Sequence, residues 1–207
     1  MSDIILASGK ELAGNSEMLY GMFSLRHHIF HDRLGWSVKS ENGMERDEFD
    51  DLNPVYMVAR EGAKVEGCWR ILPTTGPYML KDTFPDLLRG EEAPQDPSIW
   101  EVSRFAITHC DYHDRGLGGI GSLTIDMFLK VVELAERNDV RSYVTVISAS
   151  FERLLKKINM PMRRFGDGKA QRMGKVISVA VWIDVNDQLK DCFLKARDAT
   201  RAYPVAA

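Results

Sequence analysis

An arginine in the apolar stripe of a predicted helix limits how this chain can fold. In residues 16–34 the apolar side chains recur every three or four positions, with Asn15 or Ser16 as a candidate N-cap and Gly35 as a stop, which predicts an amphipathic helix. Arg26 lies three or four residues from apolar positions on both sides, so the helical repeat places its guanidinium on the apolar face. Breaking a buried ion pair costs roughly 3–5 kcal/mol. The fold must therefore bring carboxylates to Arg26, unless its side chain reaches past the helix edge to solvent.

Candidate carboxylates are concentrated in residues 45–51, inside a polar stretch, residues 37–53, that we interpret as one long loop. The sequence Glu45-Arg46-Asp47-Glu48-Phe49-Asp50-Asp51 carries more acids than a solvated loop requires, and an aromatic residue lies among them. A solvated charge run or a calcium-binding loop would look similar. The alternating aspartates and the terminal glutamate of an EF-hand are missing, however.

The remaining pattern predicts a mixed α/β fold. Strands are expected at residues 55–60, 64–72, 99–108, 141–148 and 176–185, and helices at residues 120–135, 150–158 and 187–199, with a short helix at 81–88 in an irregular crossing. Their order predicts a three-layer αβα sandwich with a mixed central sheet, and the length predicts a single domain over residues 1–207.

Composition and segment hydropathy exclude several classes of protein. With 27 basic and 30 acidic residues the formal net charge is -3, which argues against a surface built to coat nucleic acid. Cys68, Cys110 and Cys192 are odd in number and contain no C-x-x-C pair, so neither a disulfide framework nor a zinc ribbon is expected. No leader-like or membrane-spanning segment is visible, and we expect a cytoplasmic protein.

Five histidines raise the question of a metal site. His27, His28 and His31 fall within one helical turn, and His109 and His113 flank a cysteine and an aspartate. His27 and His28 point in different directions, and the second group lacks another ligand pair. Surface histidines are the commoner explanation, so we expect no metal.

The predicted strand at residues 99–108 carries an ionisable residue on each face. Alternation places Glu101, Ser103 and Phe105 on one face, and Arg104 on the other. A structural ion-pair network would explain this pattern. A carboxylate in a semi-buried cleft can also act as a general base, because burial raises its pKa toward the working pH. A β-bulge would bring both charged side chains to one cleft.

Two further segments suggest ligand or partner contacts. The loop at residues 114–119 partly resembles the phosphate-holding loop of the Gcn5-related N-acyltransferases, with Arg115 and Gly118 matching and Ile120 in place of the last small residue. Residues 153–175 carry eight cations against the single acid Asp167, a net charge of +7, which leaves -10 for the rest of the chain. A solvated basic face or a docking surface for an acidic macromolecule would both fit.

Together these residues resemble the acyl-homoserine lactone synthases, the autoinducer synthases of bacterial quorum sensing, which share the fold of the Gcn5-related N-acyltransferases. The resemblance extends from about residue 26 to residue 184 and is carried by Arg26, Phe30, Trp36, Asp47 and Asp50 in an E-x-D-x-F-D run, Arg70, Phe84, and Glu101 and Arg104 in WEVSRFA.

The resemblance implies the chemistry and the roles of the residues. S-adenosylmethionine (SAM) would be the amine substrate, an acyl carrier protein thioester the acyl donor, and no cofactor would be needed. SAM-binding residues would be Arg26, Phe30, Trp36, Asp47, Asp50 and Arg70; catalytic residues Glu101, Arg104 and Ser103; acyl-binding residues Phe84 and Thr145, with Thr145 recognising a 3-oxo group; and carrier-docking residues Arg153, Lys156 and Lys157. The alternatives are a generic acyl-CoA-dependent N-acyltransferase and a nucleic-acid-binding module built on residues 153–175.

Overall fold

The computed structural model describes residues 2–108 and 120–202. Its strands are β1 (Asp3–Ser8), β2 (Ser40–Glu41), β3 (Met44–Glu45), β4 (Val55–Glu61), β5 (Lys64–Pro73), β6 (Ile99–Ile107), β7 (Ser142–Ser148), β8 (Arg163–Arg164), β9 (Gln171–Met173) and β10 (Val176–Asp184). Its α-helices are α1 (Gly9–Leu12), α2 (Ser16–Arg26), α3 (Met79–Asp82), α4 (Ser122–Arg137), α5 (Ala149–Lys157) and α6 (Asp187–Ala202). The predicted strands and the long helices are confirmed, whereas β1, β8, β9 and α1 are additional.

One mixed sheet runs through the molecule in the order β1-β4-β5-β6-β7-β10-β8, and β9 also pairs with β10. Neighbouring strands are antiparallel except β6 and β7, which are parallel. Alternate residues of β4 contact opposite layers: Tyr56 and Val58 pack with α2, and Met57 and Ala59 pack with the core that α4 and α6 cover. A strand buried on both faces is what a three-layer sandwich requires, so the predicted fold class is confirmed.

The two central strands separate along their length. β6 and β7 pair only through Ile99 with Ser142, Trp100 with Tyr143 and Glu101 with Val144, although both strands continue beyond that point. The divergence opens a gap in the middle of the sheet, between helix layers that close it on either side.

A β-bulge in β6 lies beside this gap. Ser103 pairs with Arg70 of β5 and Ala106 pairs with Cys68, so Arg104 and Phe105 together face one residue of β5. Arg104 has a φ of 58°, in the left-handed region that non-glycine residues seldom adopt. This bulge brings Arg104 to the side of the sheet where Glu101 lies, the arrangement that we predicted a bulge would produce.

The helix predicted at residues 16–34 changes its winding near its end. Residues His27–Arg33 are π-helical, and the N–H of Leu34 donates to the carbonyl of Ile29 at 3.0 Å, five residues back. π-Helical turns are rare and are frequently found at functional sites.

The interpretation of residues 37–53 as one loop was wrong. They contain the β2–β3 hairpin, whose turn residues Asn42 and Gly43 have φ values of 53° and 74°, and a 3-10 helix at Glu48–Leu52. Two positive φ angles define the tight turn that an Asn-Gly pair favours. The short helix expected at 81–88 is split into α3 and a 3-10 helix at Pro85–Leu88, because a proline disfavours helical geometry in the residue that precedes it.

Among the described parts of the chain, no helix combines the length and apolarity needed to cross a bilayer.

Candidate active site

Arg26, at the end of α2, is 1% exposed and bonded to two carboxylates. Its Nε donates to Glu45 Oε2 at 2.5 Å, and its terminal nitrogens donate to the two oxygens of Asp50 at 2.7 and 2.9 Å. Asp47 is further away, with 3.9 Å between its Oδ2 and Arg26 Nη2. Carboxylates from the acidic segment therefore neutralise Arg26 as expected, and the two that bond it directly are Glu45 and Asp50.

Asp47 instead pairs with two other buried arginines. Arg70 Nη1 donates to Asp47 and, at 3.0 Å, to Asp50 Oδ1. Arg104 Nη2 lies 2.9 Å from Asp47 Oδ2 and 3.0 Å from Glu45 Oε1. Three arginines and three carboxylates thus form one buried network whose formal charges cancel. Burial alone would raise the pKa of Asp50, but the adjacent Arg26 and Arg70 hold it well below its ordinary value.

The acidic segment is folded by the same carboxylates that bind the arginines. Asp47 Oδ1 accepts the N–H of Phe49 at 3.0 Å, and Asp50 Oδ2 accepts the N–H of Asp47 at 2.9 Å, so each aspartate caps the 3-10 helix. The hydroxyl of Tyr56 on β4 donates to Asp50 Oδ1 at 2.7 Å. Asp50 therefore connects its own 3-10 helix to three other elements: α2, β4 and β5.

A cavity of about 780 Å³ occupies the gap between β6 and β7. At one end it is lined by Phe30, Trp36, Ser103 and Arg104. The rings of Phe30 and Trp36 lie 5.4 Å apart, and the guanidinium of Arg104 lies 5.2 Å from the centre of the Phe30 ring. The indole Nε1 of Trp36 is buried and has no hydrogen-bond partner among the described residues, so it can donate to a ligand.

The predicted SAM-binding residues divide into two layers. Phe30 and Trp36 line the cavity directly. The four charged SAM-binding candidates do not line the cavity in the described structure. They form the buried network behind Arg104: Arg26, Asp47, Asp50 and Arg70. Arg70 also donates from Nε to the hydroxyl of Ser103 at 3.2 Å, which connects the network to the cavity wall.

Glu101 also lines the cavity, on the same side of the sheet as Arg104. Its carboxylate is 1% exposed and accepts the N–H of Met79 at 3.0 Å and of Leu80 at 2.6 Å. Arg104 Nη1 lies 3.1 Å from Met79 Sδ, so both charged side chains meet at the start of α3. Burial raises the pKa of Glu101, and the two N–H donors offset only part of that effect.

The opposite end of the cavity is apolar and aromatic. Phe105, Phe128 and Phe151 contact one another, with ring centres 5.7 to 6.4 Å apart. The predicted acyl-binding residues Phe84 and Thr145 both line this cavity, and Thr145 is buried on β7. Trp69, Ile147, Leu154, Met160 and Ile183 complete the apolar wall.

The positive charge of residues 153–175 is partly neutralised by acids from outside the segment or beside it. Glu152 bonds Arg164 at 2.5 and 2.8 Å and Lys156 at 2.9 Å, and Arg163 bonds Glu91 at 3.0 and 3.1 Å. A count of one acid against eight cations within the segment therefore overstated the net positive charge at this surface.

The predicted docking residues Arg153, Lys156 and Lys157 are exposed on α5. Lys157 also borders the cavity, so this helix face adjoins the route to the apolar end.

Sequence reasoning missed several residues of the site. Glu45 lay within the acidic run that drew our attention, and a count of three buried arginines would have required a third carboxylate. Tyr56 and the aromatic wall come from separate elements, and no spacing in the sequence relates them. The expected glycine loop at 114–119, together with Cys110, His109 and His113, lies outside the described residues.

This chain is similar to known proteins in both sequence and fold. The family profile described as autoinducer synthase matches residues 10–192. An acyl-homoserine-lactone synthase of Aliivibrio fischeri is 38% identical over 192 residues, which are 92% of this chain and 98% of that protein. The crystal structure of the AHL synthase LasI is 36% identical with a TM-score of 0.81, covering 94% of this chain and 96% of that one.

More distant structures share the fold alone. BjaI, a CoA-dependent acyl-homoserine lactone synthase solved with SAM and isopentyl-CoA, is 24% identical with a TM-score of 0.81, over 96% of this chain and 90% of that one. Escherichia coli ElaA is 10% identical with a TM-score of 0.58, over 88% of this chain and 99% of that one.

Proposed function

This chain belongs to the autoinducer synthase family and is an acyltransferase that makes acyl-homoserine lactones, and we propose that it takes its acyl group from acyl carrier protein. The acceptor is the amine of SAM, which is a substrate of the family rather than a cofactor. After acyl transfer, the methionyl carboxylate displaces methylthioadenosine from its own γ-carbon and closes the lactone. All of this chemistry is assigned to one domain over residues 1–207, since the cavity lies in one sheet and the helices that contribute to it pack against that sheet.

SAM occupies the polar end of the cavity. Phe30 and Trp36 form its wall, and the unpartnered indole N–H of Trp36 donates to the substrate. The buried network behind Arg104 acts by position: Arg26, Asp47, Asp50 and Arg70 hold the acidic segment and the bulge in place.

Acyl transfer begins with proton removal from the amine. An α-amino group has a pKa of about 8, so near neutral pH even a moderately strong base can remove its proton. Glu101 is that base, acting directly or through a water molecule, because its burial raises its pKa and its two oxygens keep lone pairs beyond those that Met79 and Leu80 engage. Ser103, two residues along the same strand, faces the same cavity.

The amine nitrogen then attacks the thioester carbonyl. Beyond Glu101 and Val144 the facing edges of β6 and β7 no longer pair with each other, which leaves backbone N–H groups able to donate to the developing oxyanion. The carbon–sulfur bond breaks, and the thiol of the carrier leaves with a proton. Lactonisation needs little more than proximity, because the sulfonium is already a good leaving group.

The acyl chain extends into the apolar end, past Phe84 and toward Phe105, Phe128 and Phe151. The hydroxyl of Thr145 donates to a 3-oxo group on a medium or long chain. The support is its position: Thr145 lines the cavity within a wall that is otherwise mainly apolar.

The identity of the donor rests on α5. Its cations Arg153, Lys156 and Lys157 are exposed, and Lys157 borders the cavity. An acidic carrier protein is steered by such a surface. A CoA thioester is the second candidate, because BjaI shares the fold and is CoA-dependent.

The test is a paired incubation. Purified protein and SAM are mixed with the same 3-oxo-acyl group on acyl carrier protein or on CoA, and the lactone and methylthioadenosine are measured by mass spectrometry, with a sample lacking SAM as the control. We expect both products from the carrier thioester, at a higher kcat/KM than from CoA. Efficient turnover of the CoA thioester alone would overturn the carrier assignment, and lactone without methylthioadenosine would overturn the proposed ring closure.

A further inference from the structure

Three potential metal ligands converge on the outer face of the π-helix. The ligand atoms of His27, His31 and Asp32 all lie within 4.8 Å of one another. We propose that these three side chains bind a divalent transition-metal ion of the Zn²⁺ type. We expected no metal from the sequence, because His27 and His28 point apart. His27 and His31 are four residues apart, a spacing that puts them on one helix face. The π-helical winding brings Asp32, five residues from His27, beside them.

The distances fit a small ion. Asp32 Oδ1 lies 2.9 Å from His31 Nδ1 and 3.5 Å from His27 Nε2. Zinc–ligand bonds of about 2.0–2.2 Å place neighbouring ligand atoms roughly 3.0–3.5 Å apart. The two imidazole rings stack, with centres 4.8 Å apart and planes 15° from parallel, so their edges lie side by side. Small movements of exposed side chains therefore suffice to close the site.

A second contact fixes the orientation of His27. Its Nδ1 lies 2.5 Å from the hydroxyl of Ser40, and that hydroxyl donates to the carbonyl of Met44 at 3.1 Å. Since the single hydroxyl proton of Ser40 is used on Met44, the hydroxyl accepts from Nδ1–H of His27. The lone pair of a neutral His27 is then on Nε2, the atom that faces Asp32. Metal-binding histidines are oriented by this kind of outer hydrogen bond.

The contact between neutral His27 and Asp32 is one that a cation would satisfy. In that tautomer His27 Nε2 and Asp32 Oδ1 are both acceptors, and they lie 3.5 Å apart. An ion held between them turns this contact into two bonds. Two imidazoles and one carboxylate suit Zn²⁺, Ni²⁺ and Co²⁺, whereas Mg²⁺ and Ca²⁺ prefer oxygen ligands throughout.

The ion would stabilise one wall of the active site. The π-helix also carries Phe30, and Trp36 follows it, so both aromatic walls of the SAM end are close in sequence to the ligands. Ser40 belongs to the hairpin that leads to Glu45. A ligand that binds the folded state alone raises stability by mass action.

The test uses the full chain without a histidine tag, in buffer free of chelators. Zn²⁺ affinity is measured by calorimetry, Co²⁺ binding by its visible absorption, and thermal stability with and without Zn²⁺. The variants are His31→Gln and Ser40→Ala. His28→Gln is the matched control, because His28 lies on the same turn and contacts Asp32 only through Oδ2, at 3.5 Å.

We expect one Zn²⁺ per chain, a Zn²⁺-dependent rise in Tm, and no comparable rise with Mg²⁺. His31→Gln should weaken Zn²⁺ binding at least tenfold, and Ser40→Ala roughly tenfold to a hundredfold, the range seen when outer hydrogen bonds of metal sites are removed. His28→Gln should leave affinity within about twofold. Equal binding by the wild type and His31→Gln, an equal loss in His28→Gln, or no Zn²⁺ binding by the wild type would each overturn the proposal.

Discussion

Asp50 binds Arg26 through both carboxylate oxygens, at 2.7 and 2.9 Å, across 24 residues of sequence. The pair is buried on both sides, with 1% of each side chain exposed. It attaches the acidic segment to α2 and thereby supports Arg104 at the cavity wall. The carboxylates that fold the acidic segment therefore also hold the arginine network behind the cavity wall.

Removal of Arg26 should destabilise the protein strongly. Arg26→Ala leaves Glu45 and Asp50 without their main counter-charge, and we expect a loss of roughly 3–5 kcal/mol in the free energy of unfolding, measured in urea. Arg46→Ala is the control, since Arg46 pairs with Asp51 at the surface and should cost at most about 1 kcal/mol. Similar losses in the two variants would contradict the central place of the buried network.

Replacement of Glu101 should affect the rate more than the fold. We expect Glu101→Gln to lower kcat by roughly 10²–10⁴, the usual contribution of a general base. In the wild type, kcat/KM should fall as the pH drops through the raised pKa of Glu101, because protonation removes the base; the variant should lack that limb. Asp82→Asn is the control, because Asp82 also accepts an N–H near α3 but does not line the described cavity. A wild-type pH profile in Glu101→Gln would exclude Glu101 as the base.

The hydroxyl of Thr145 should decide between 3-oxo and unsubstituted donors. A neutral hydrogen bond contributes about 0.5–1.5 kcal/mol, so Thr145→Val should lower the kcat/KM ratio of 3-oxo to unsubstituted acyl carriers by about two- to tenfold. Thr124→Val removes another threonine hydroxyl from the same cavity and should leave the ratio unchanged. No preference in the wild type, together with no change in Thr145→Val, would count against this role.

Charge reversal on α5 should weaken carrier binding alone. The double variant Arg153→Glu and Lys157→Glu should raise KM for the acyl carrier thioester several-fold without changing SAM affinity, and the effect should shrink at high salt. Lys10→Glu with Arg60→Glu makes the same charge change near β1, away from α5. If KM for the carrier moves equally in both double variants, α5 is not the docking surface.

The pair between Glu152 and Arg164 should make stability sensitive to acid. Hydrogen bonds from Arg164 outweigh burial and hold the pKa of Glu152 at about 2, below its ordinary value of 4.5. A lowered carboxylate pKa stabilises the fold above pH 4.5 and loses that contribution as the pH falls toward 2. Unfolding in urea at pH 7, 4 and 3 should therefore show a smaller acid-induced loss in Glu152→Gln than in the wild type. Identical losses would show that this pair is not responsible.

Local periodicity was enough to predict most of the fold. The hydrophobic repeat of α4 and the Gly62 turn between β4 and β5 each depend on neighbours within a few residues, and each is confirmed. β6 is confirmed as a strand, but its bulge breaks the predicted alternation and brings Arg104 to the side of Glu101. The β2–β3 hairpin was missed although Asn42-Gly43 is a strong turn signal, because its strands are only two residues long. β8 and β9 are equally short, and their pairing depends on β10 rather than on their own sequence.

The sequence by itself determined that Arg26 lies in an apolar stripe and that residues 45–51 hold acids able to neutralise it, because helical spacing and a run of carboxylates are both local features. Only the tertiary structure decided which oxygen meets which nitrogen. Glu45 rather than Asp47 contacts Arg26 because the β2–β3 hairpin brings it there, and Arg104 reaches Asp47 because a bulge turns it toward the cavity. The gap between β6 and β7 has the same origin, since it depends on strand pairing that no local spacing encodes. In the proposed metal site, the spacing of His27 and His31 was visible in the sequence, and only the π-helical winding brought Asp32 beside them.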